Sequence, residues 1–333
     1  MKSKQLGRKA RVSPTLLVIR DRRSEPHNKK QQEPRLLAHY SQDHNMINGY
    51  ITGKDMYANT ASIVYNCKYE DCLEFYPDGT TNEQGKTRRS NTKSIVLGLL
   101  YGRGPASIAE QIGSTVKEAQ ALTDKFFAGF PTVKNWMDKT KNDAKKTGYV
   151  ETLWGRQRKI PDITLPPYTY ESTGTMPVNF NPLDFSGGEA SKEVPQNIQD
   201  YFNERLGKAK GYNEVNQIKI EAVNKGIRIK DNTAFIAEAE RQCINSRVQG
   251  GAADLSKLAM ISIYENQELR DMGYEMLIPV HDEIIGEVPV ENAKRCGEII
   301  SQLMIDAAKD RCSVPMKVDP AFFYKWYGEE VDL

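Results

Sequence analysis

An α+β fold, mainly helical with an antiparallel sheet, is what this 333-residue sequence predicts. Three observations lead there. Segments such as 234–265 and 291–309 repeat apolar residues at helical spacing, the second through Cys296, Ile299, Ile300, Leu303, Met304 and Ala307. Two short β-rich runs, MLIPV and IIGEVP, flank His281, Asp282 and Glu283 and read as a hairpin. A content of 39% hydrophobic and 27% charged residues, with no run of about 18 apolar residues, describes a globular chain that does not enter a membrane.

The elements follow in order. Residues 1–30 hold ten Lys and Arg against Asp21 and Glu25, a net of +8, which leaves −6 for the rest of a chain whose total is +2. They are expected to be a basic, poorly ordered leader. Residues 33–65 carry a helical pattern through Leu36, Leu37, Met46, Met56 and Ala61. Residues 66–87 read as a loop with a Pro-Asp-Gly turn, and Arg88–Tyr101 as a helix closed by Gly102. Two or three helices fill 106–145, with Thr115 as an N-cap and Pro131 opening one of them. Residues 148–161 alternate like a hairpin, and about 163–230 reads as an irregular insertion. The five cysteines are an odd number and scattered, which suits reduced thiols and, with no signal peptide, a cytoplasmic protein.

Several constellations carry chemistry. In RRSNTKSIVLGLLYG, Arg89, Lys93, Leu97 and Tyr101 lie at steps of four and drift only about 120° around the helix. That stripe is either a solvated basic face or a site where cations meet phosphates and a ring stacks on a base. In AERQCINSRVQGGAADLSKLAM, Arg241, Asn245 and Gln249 repeat the spacing. They suit an amphipathic helix or minor-groove contacts. Gly250 and Gly251 in mid-helix each cost about 1 kcal/mol relative to Ala and imply close packing. TLWGRQRKIPD sets Arg156 and Arg158 beside a hairpin. The carboxylates of Asp282 and Glu283 are either turn chemistry or ligands for a divalent metal.

These four segments stand in the order found in family A DNA polymerases, the bacterial DNA polymerase I type, and residues 31–62 resemble the stretch before the fingers in its phage-like branch. The resemblance implies an incomplete polymerase right hand: helical fingers at 63–145, reached through a palm-to-fingers segment at 31–62, and a palm at 146–333, without thumb or exonuclease domain. It implies DNA-templated nucleotidyl transfer with dNTPs and primer–template DNA. Asp282 would hold Mg²⁺ in a two-metal site, with Glu283 beside it and Lys93 also catalytic. Arg89 and Lys93 would hold the triphosphate, and Tyr101 would stack near the templating base. Glu33 would exclude a ribose 2′-hydroxyl. Arg241, Asn245, Gln249, His281, Arg156 and Arg158 would contact DNA.

The sequence departs from the family at three places. Leu97 stands where Phe or Tyr is common, and Tyr57 where a His helps bind phosphate. Read back from Gln31 without a gap, Asn28 takes the place of the second metal-binding Asp, and Asp21, seven residues earlier and so about 23 Å away along an extended strand, is no easy substitute. The chain alone is therefore expected to extend a primer poorly, with a separate upstream polymerase segment as a partner. A non-catalytic DNA-binding remnant is the alternative.

Overall fold

The computed structural model describes residues 14–20, 32–172, 176–177, 190–191, 193–280, 283–325 and 330–331. The first element, β1 (Pro14–Arg20), corrects the expected leader: PTLLVIR is a strand of the main sheet. Its apolar, β-branched run is a strand signal that the net charge of residues 1–30 concealed.

Three helices follow, α1 (Gln32–Ser41), α2 (His44–Ile51) and α3 (Met56–Tyr65). Asp43 and Asp55 cap α2 and α3, accepting the backbone N–H groups of Asn45 and Met46 and of Ala58. The loop at 66–82 holds a 3₁₀ turn at Glu70–Cys72 and turns back through Asp78 and Gly79, so that Phe75 bridges Thr81. Helix α4 (Glu83–Leu100) starts before the expected Arg88 because Asn82 caps it through Gly85 N–H. It ends at Leu100 with Tyr101 as its C-cap, and Gly102, whose φ is +68°, closes it as expected. Next come α5 (Pro105–Ile112), α6 (Val116–Gly129) with a Thr115–Glu118 capping box, and α7 (Pro131–Thr147). Strands β2 (Tyr149–Glu151) and β3 (Gln157–Lys159) form the expected hairpin.

The stretch expected to be irregular is mostly ordered. It contains β4 (Tyr168–Ser172), β5 (Met176–Pro177), β6 (Ala190–Ser191), α8 (Gln196–Lys208), α9 (Tyr212–Asn224) and β7 (Ile227–Asp231). The chain then runs through α10 (Thr233–Glu265), α11 (Gln267–Asp271), β8 (Glu275–Val280), β9 (Glu283–Pro289), α12 (Ala293–Lys309) and β10 (Asp319–Phe323).

The chain divides into two compact units, residues 1–143, 150–158 and 242–333, and residues 144–149 and 159–241. In the first unit the antiparallel sheet has the order β10-β1-β9-β8. Beneath it Ile263, Tyr274, Ile284, Val288, Cys296, Ile300 and Phe322 form one core. Gly297 lets α12 approach β10 closely, since a Cβ there would lie 3.0 Å from Pro320 and 3.1 Å from Phe322. A larger helical core joins Leu36, Leu37, Met56, Tyr57, Val96, Leu100, Phe126, Phe130, Ile244 and Val248. The second unit has its own core of Ile198, Phe202, Leu206, Ile218, Ala222, Ile227 and Ile229, drawn from α8, α9 and β7. All five cysteines are free thiols. No described helix is long and apolar enough to cross a membrane.

One histidine makes the fold pH-sensitive. His39 Nδ1 accepts the backbone N–H of Ser313 at 3.0 Å, which only a deprotonated nitrogen can do. Burial, and then the Arg247 charge, hold its pKa below the ordinary 6.5. The fold thus favours neutral imidazole. Its contribution is full above about pH 6.5, where the unfolded chain is also neutral, and is lost as pH falls through the lower folded value. In urea titrations between pH 7.5 and 5, the wild type should lose stability more steeply than His39→Gln; equal slopes would refute this.

Candidate active site

Helix α4 positions the stripe read from the sequence, and α3 lies against it. Arg89 is 8% exposed. Its Nε donates to Asp55 Oδ1 at 3.1 Å and its Nη2 to Asp55 Oδ2 at 2.9 Å, while Nη1 lies 3.8 Å from Glu74. Burial pulls the Arg89 pKa down, but the Asp55 hydrogen bonds and the two carboxylate charges outweigh it and raise it. One turn on, the half-buried Lys93 places Nζ 5.8 Å from the centre of the Tyr57 ring, and Arg89 Cζ is 5.9 Å from that centre. Tyr57 itself is wholly buried. It was expected to bind phosphate; a fully buried ring cannot touch a ligand, and the expectation is corrected. Leu97 is half-buried and packs on the helical core rather than standing free.

Tyr101 ends α4. Its hydroxyl donates to Glu33 Oε2 at 2.9 Å. Burial, and then the Glu33 charge, push its pKa up to about 12, so it remains a donor at neutral pH. The Gln249 side chain also hydrogen-bonds Tyr101. Glu33 from α1, Tyr101 from α4 and Gln249 from α10 thus meet. The charges of Asp55, Arg89 and Glu33 all act on Tyr57, which ties both groups into one neighbourhood.

Other sequence-predicted residues are engaged differently. Arg156 Nε is paired with the buried Asp254 at 2.6 Å, and its Nη2 donates to the Gly250 carbonyl at 3.0 Å. Thr152 Oγ1 donates to the other Asp254 oxygen at 2.7 Å. Arg156 therefore fixes the β2–β3 turn on α10. The two mid-helix glycines explain themselves here: a Cβ on Gly250 would lie 2.9 Å from Thr152 Cγ2, and one on Gly251 3.2 Å from Tyr40 Oη. Arg158 is exposed on β3. Arg241 belongs to the second unit and pairs with Glu238 one turn back. Asn245 has a buried Oδ1 with no hydrogen-bond partner among the described residues.

His281 and Asp282 lie outside the described residues. Glu283 opens β9, half-buried. Strand β9 pairs with β1 in the register Ile19↔Ile284, so Arg20 and Glu283 are the next residues on each strand. Asp21 follows the first and Asp282 precedes the second. Among the described residues no group of three or more His, Cys, Asp or Glu side chains could hold a metal. The Glu283 carboxylate at this strand end is an oxygen donor of the kind Mg²⁺ takes.

Asp55, Glu74 and Asp254 are the site residues that sequence reasoning missed. Asp55 had a signal, as the N-cap two residues before Tyr57. Glu74, in an irregular loop, had none.

The helices and the antiparallel sheet together have the fold of a polymerase POL domain. The POL domain of Pol1 from M. smegmatis, solved in complex with DNA primer-template and dNTP, superposes with a TM-score of 0.62 at 21% identity over 95% of this chain and 40% of that one. The profile of DNA polymerase family A matches residues 28–180 and 192–328, and the chain belongs to that family. DNA polymerase I of Streptococcus pneumoniae is 30% identical over 299 residues, 89% of this chain and 25% of the relative. The thermostable DNA polymerase I of Thermus aquaticus is 28% identical over 89% of this chain and 26% of its own length. The chain spans about a quarter of these relatives.

Proposed function

We propose that this chain supplies the nucleotide-binding fingers and the metal-binding palm of a DNA-directed DNA polymerase of the phage-like branch. The observation that carries the reading is the α4 neighbourhood, where Arg89 and Lys93 stand over Tyr57 and Tyr101 is held by Glu33. Lys93 holds the triphosphate of a dNTP. Arg89, already bound to Asp55 and Glu74, fixes α4 and adds its charge behind Lys93. The Tyr101–Glu33 pair closes the sugar side of the site, and Gln249 links it to the helix that follows the DNA. Asn245 and Arg158 add DNA contacts, with Arg241 and His281.

Mg²⁺ would be held by Asp282, with Glu283 beside it. For the second carboxylate we favour Asp21 over the position of Asn28. The support is the register Ile19↔Ile284: in the sequence Asp21 directly follows β1 and Asp282 directly precedes β9, and these two strands are neighbours in the sheet. Asn28 is separated from β1 by a further seven residues of chain. When bound, the metal pair supplies charge to the attacking and leaving oxygens of nucleotidyl transfer.

The test is dNTP binding by calorimetry in Mg²⁺, with primer extension alongside. Lys93→Ala should weaken dNTP affinity at least tenfold, since a charge-assisted phosphate contact is worth roughly 1.5–3 kcal/mol. Unchanged affinity would remove α4 as the triphosphate site.

A further inference from the structure

We infer that Tyr57 is a positioning residue: its buried ring is an aromatic shelf that sets the height and spacing of the Arg89 and Lys93 cations above it. The inference rests on the reading of α4 as the triphosphate site. Tyr57 is the second residue of α3, wholly buried, and its hydroxyl has no hydrogen-bond partner among the described residues. A buried hydroxyl without a partner carries a desolvation penalty and no compensation, so the oxygen is not what the fold gains from this side chain. The ring is. Both cations of the stripe lie within 6 Å of its centre, Lys93 Nζ at 5.8 Å and Arg89 Cζ at 5.9 Å, the range in which a ring attracts a cation. Burial raises the attraction, because water does not compete on the ring's side.

The shelf acts together with a carboxylate clamp. Asp55, two residues before Tyr57, binds Arg89 at two points while its Oδ1 also caps α3 through Ala58 N–H at 2.8 Å. The same turn of α3 therefore grips the guanidinium edgewise by Asp55 and supports it by Tyr57. Lys93 has a flexible four-carbon stem. An imidazole here, the residue common at this place in the resemblance, would carry its own phosphate contact. Tyr57 instead acts through Lys93 and Arg89.

Three variants of the full chain test this: Tyr57→Phe, Tyr57→Leu, and Tyr57→Leu combined with Lys93→Ala. Each is measured for urea stability, for calorimetric binding of a dNTP in Mg²⁺, and for binding of the matching deoxynucleoside without phosphates. Phe keeps the ring and deletes the unpartnered oxygen, so it should rescue dNTP affinity to within twofold of wild type. Leu keeps an apolar side chain without the π face, and should weaken dNTP binding five- to tenfold while nucleoside binding changes less than twofold. In the double variant the two losses should fall short of their product, since the shelf works through Lys93. A dNTP affinity equal in Leu and Phe, or a fully multiplicative double variant, would overturn the shelf while leaving the triphosphate site standing. A wild-type chain that binds no dNTP would overturn both.

Discussion

Asp21→Asn lowers Mg²⁺-dependent primer extension about a hundredfold or more, as does Asp282→Asn, whereas Asn28→Asp leaves it unimproved. This is the expected result if the strand end formed by β1 and β9 carries the metal-binding carboxylates. An Asn offers one neutral carbonyl oxygen in place of a charged group, and a metal site held by carboxylates loses several kcal/mol of charge stabilisation with it. At about 1.4 kcal/mol per tenfold in rate, a hundredfold is the lower end. The readout need not depend on turnover. Mn²⁺ binding, followed by electron paramagnetic resonance on the chain with primer–template and dNTP, should weaken in both Asp variants and not in Asn28→Asp. A gain of extension and Mn²⁺ affinity in Asn28→Asp, with Asp21→Asn silent, would restore the gap-free reading of the motif. Binding of DNA without extension or Mn²⁺ uptake in the wild type would favour the non-catalytic remnant.

The largest stability effect should come from Gly85→Ala. A Cβ at this position in α4 would lie 2.0 Å from the Leu73 carbonyl oxygen, 2.5 Å from Asn82 Nδ2 and 2.9 Å from Asn82 Cγ. The first is backbone and cannot swing aside. The second belongs to the cap that accepts Gly85 N–H, so relief by moving Asn82 removes the cap. Overpacking of this kind typically costs about 1–3 kcal/mol, and loss of an Asn cap about 1 more. Urea unfolding should therefore show a loss of at least about 2 kcal/mol. The displaced first turn of α4 should also disturb Arg89, and with it dNTP affinity. An Ala variant of unchanged stability would mean that the Leu73 loop yields freely.

What could be read from residues alone depended on locality. Thr115 with Glu118, Pro131 and Gly102 announced their helix ends because caps and breakers act within one turn. The α4 stripe was legible for the same reason, since steps of four share a face. Helix α8 carries a helical signal in Ile198, Phe202 and Leu206 at steps of four, but the surrounding Pro, Asn and Gly made the whole stretch read as irregular. Strand β1 was missed because its partners are at the other end of the chain, and no local pattern names a partner. The site shows the same division. Arg89 was found as a cation. That it is bound to Asp55 and Glu74, or that Arg156 is bound to Asp254, depends on contacts across tens of residues.

The place of β1 in the sheet bears on how the chain is made. Its two neighbours, β9 and β10, are among the last strands in the sequence. During synthesis β1 leaves the ribosome before both of its partners and waits until they have emerged. Closing so long a loop adds little to the equilibrium cost, which grows only with the logarithm of length, but pairings this remote slow folding. Meanwhile PTLLVIR is an apolar segment without its sheet, the kind of run that invites self-association. The basic residues around it, Lys9 and Arg11 before, Arg20 at its own end, and Arg22 and Arg23 after, would act as gatekeepers that keep nascent chains apart.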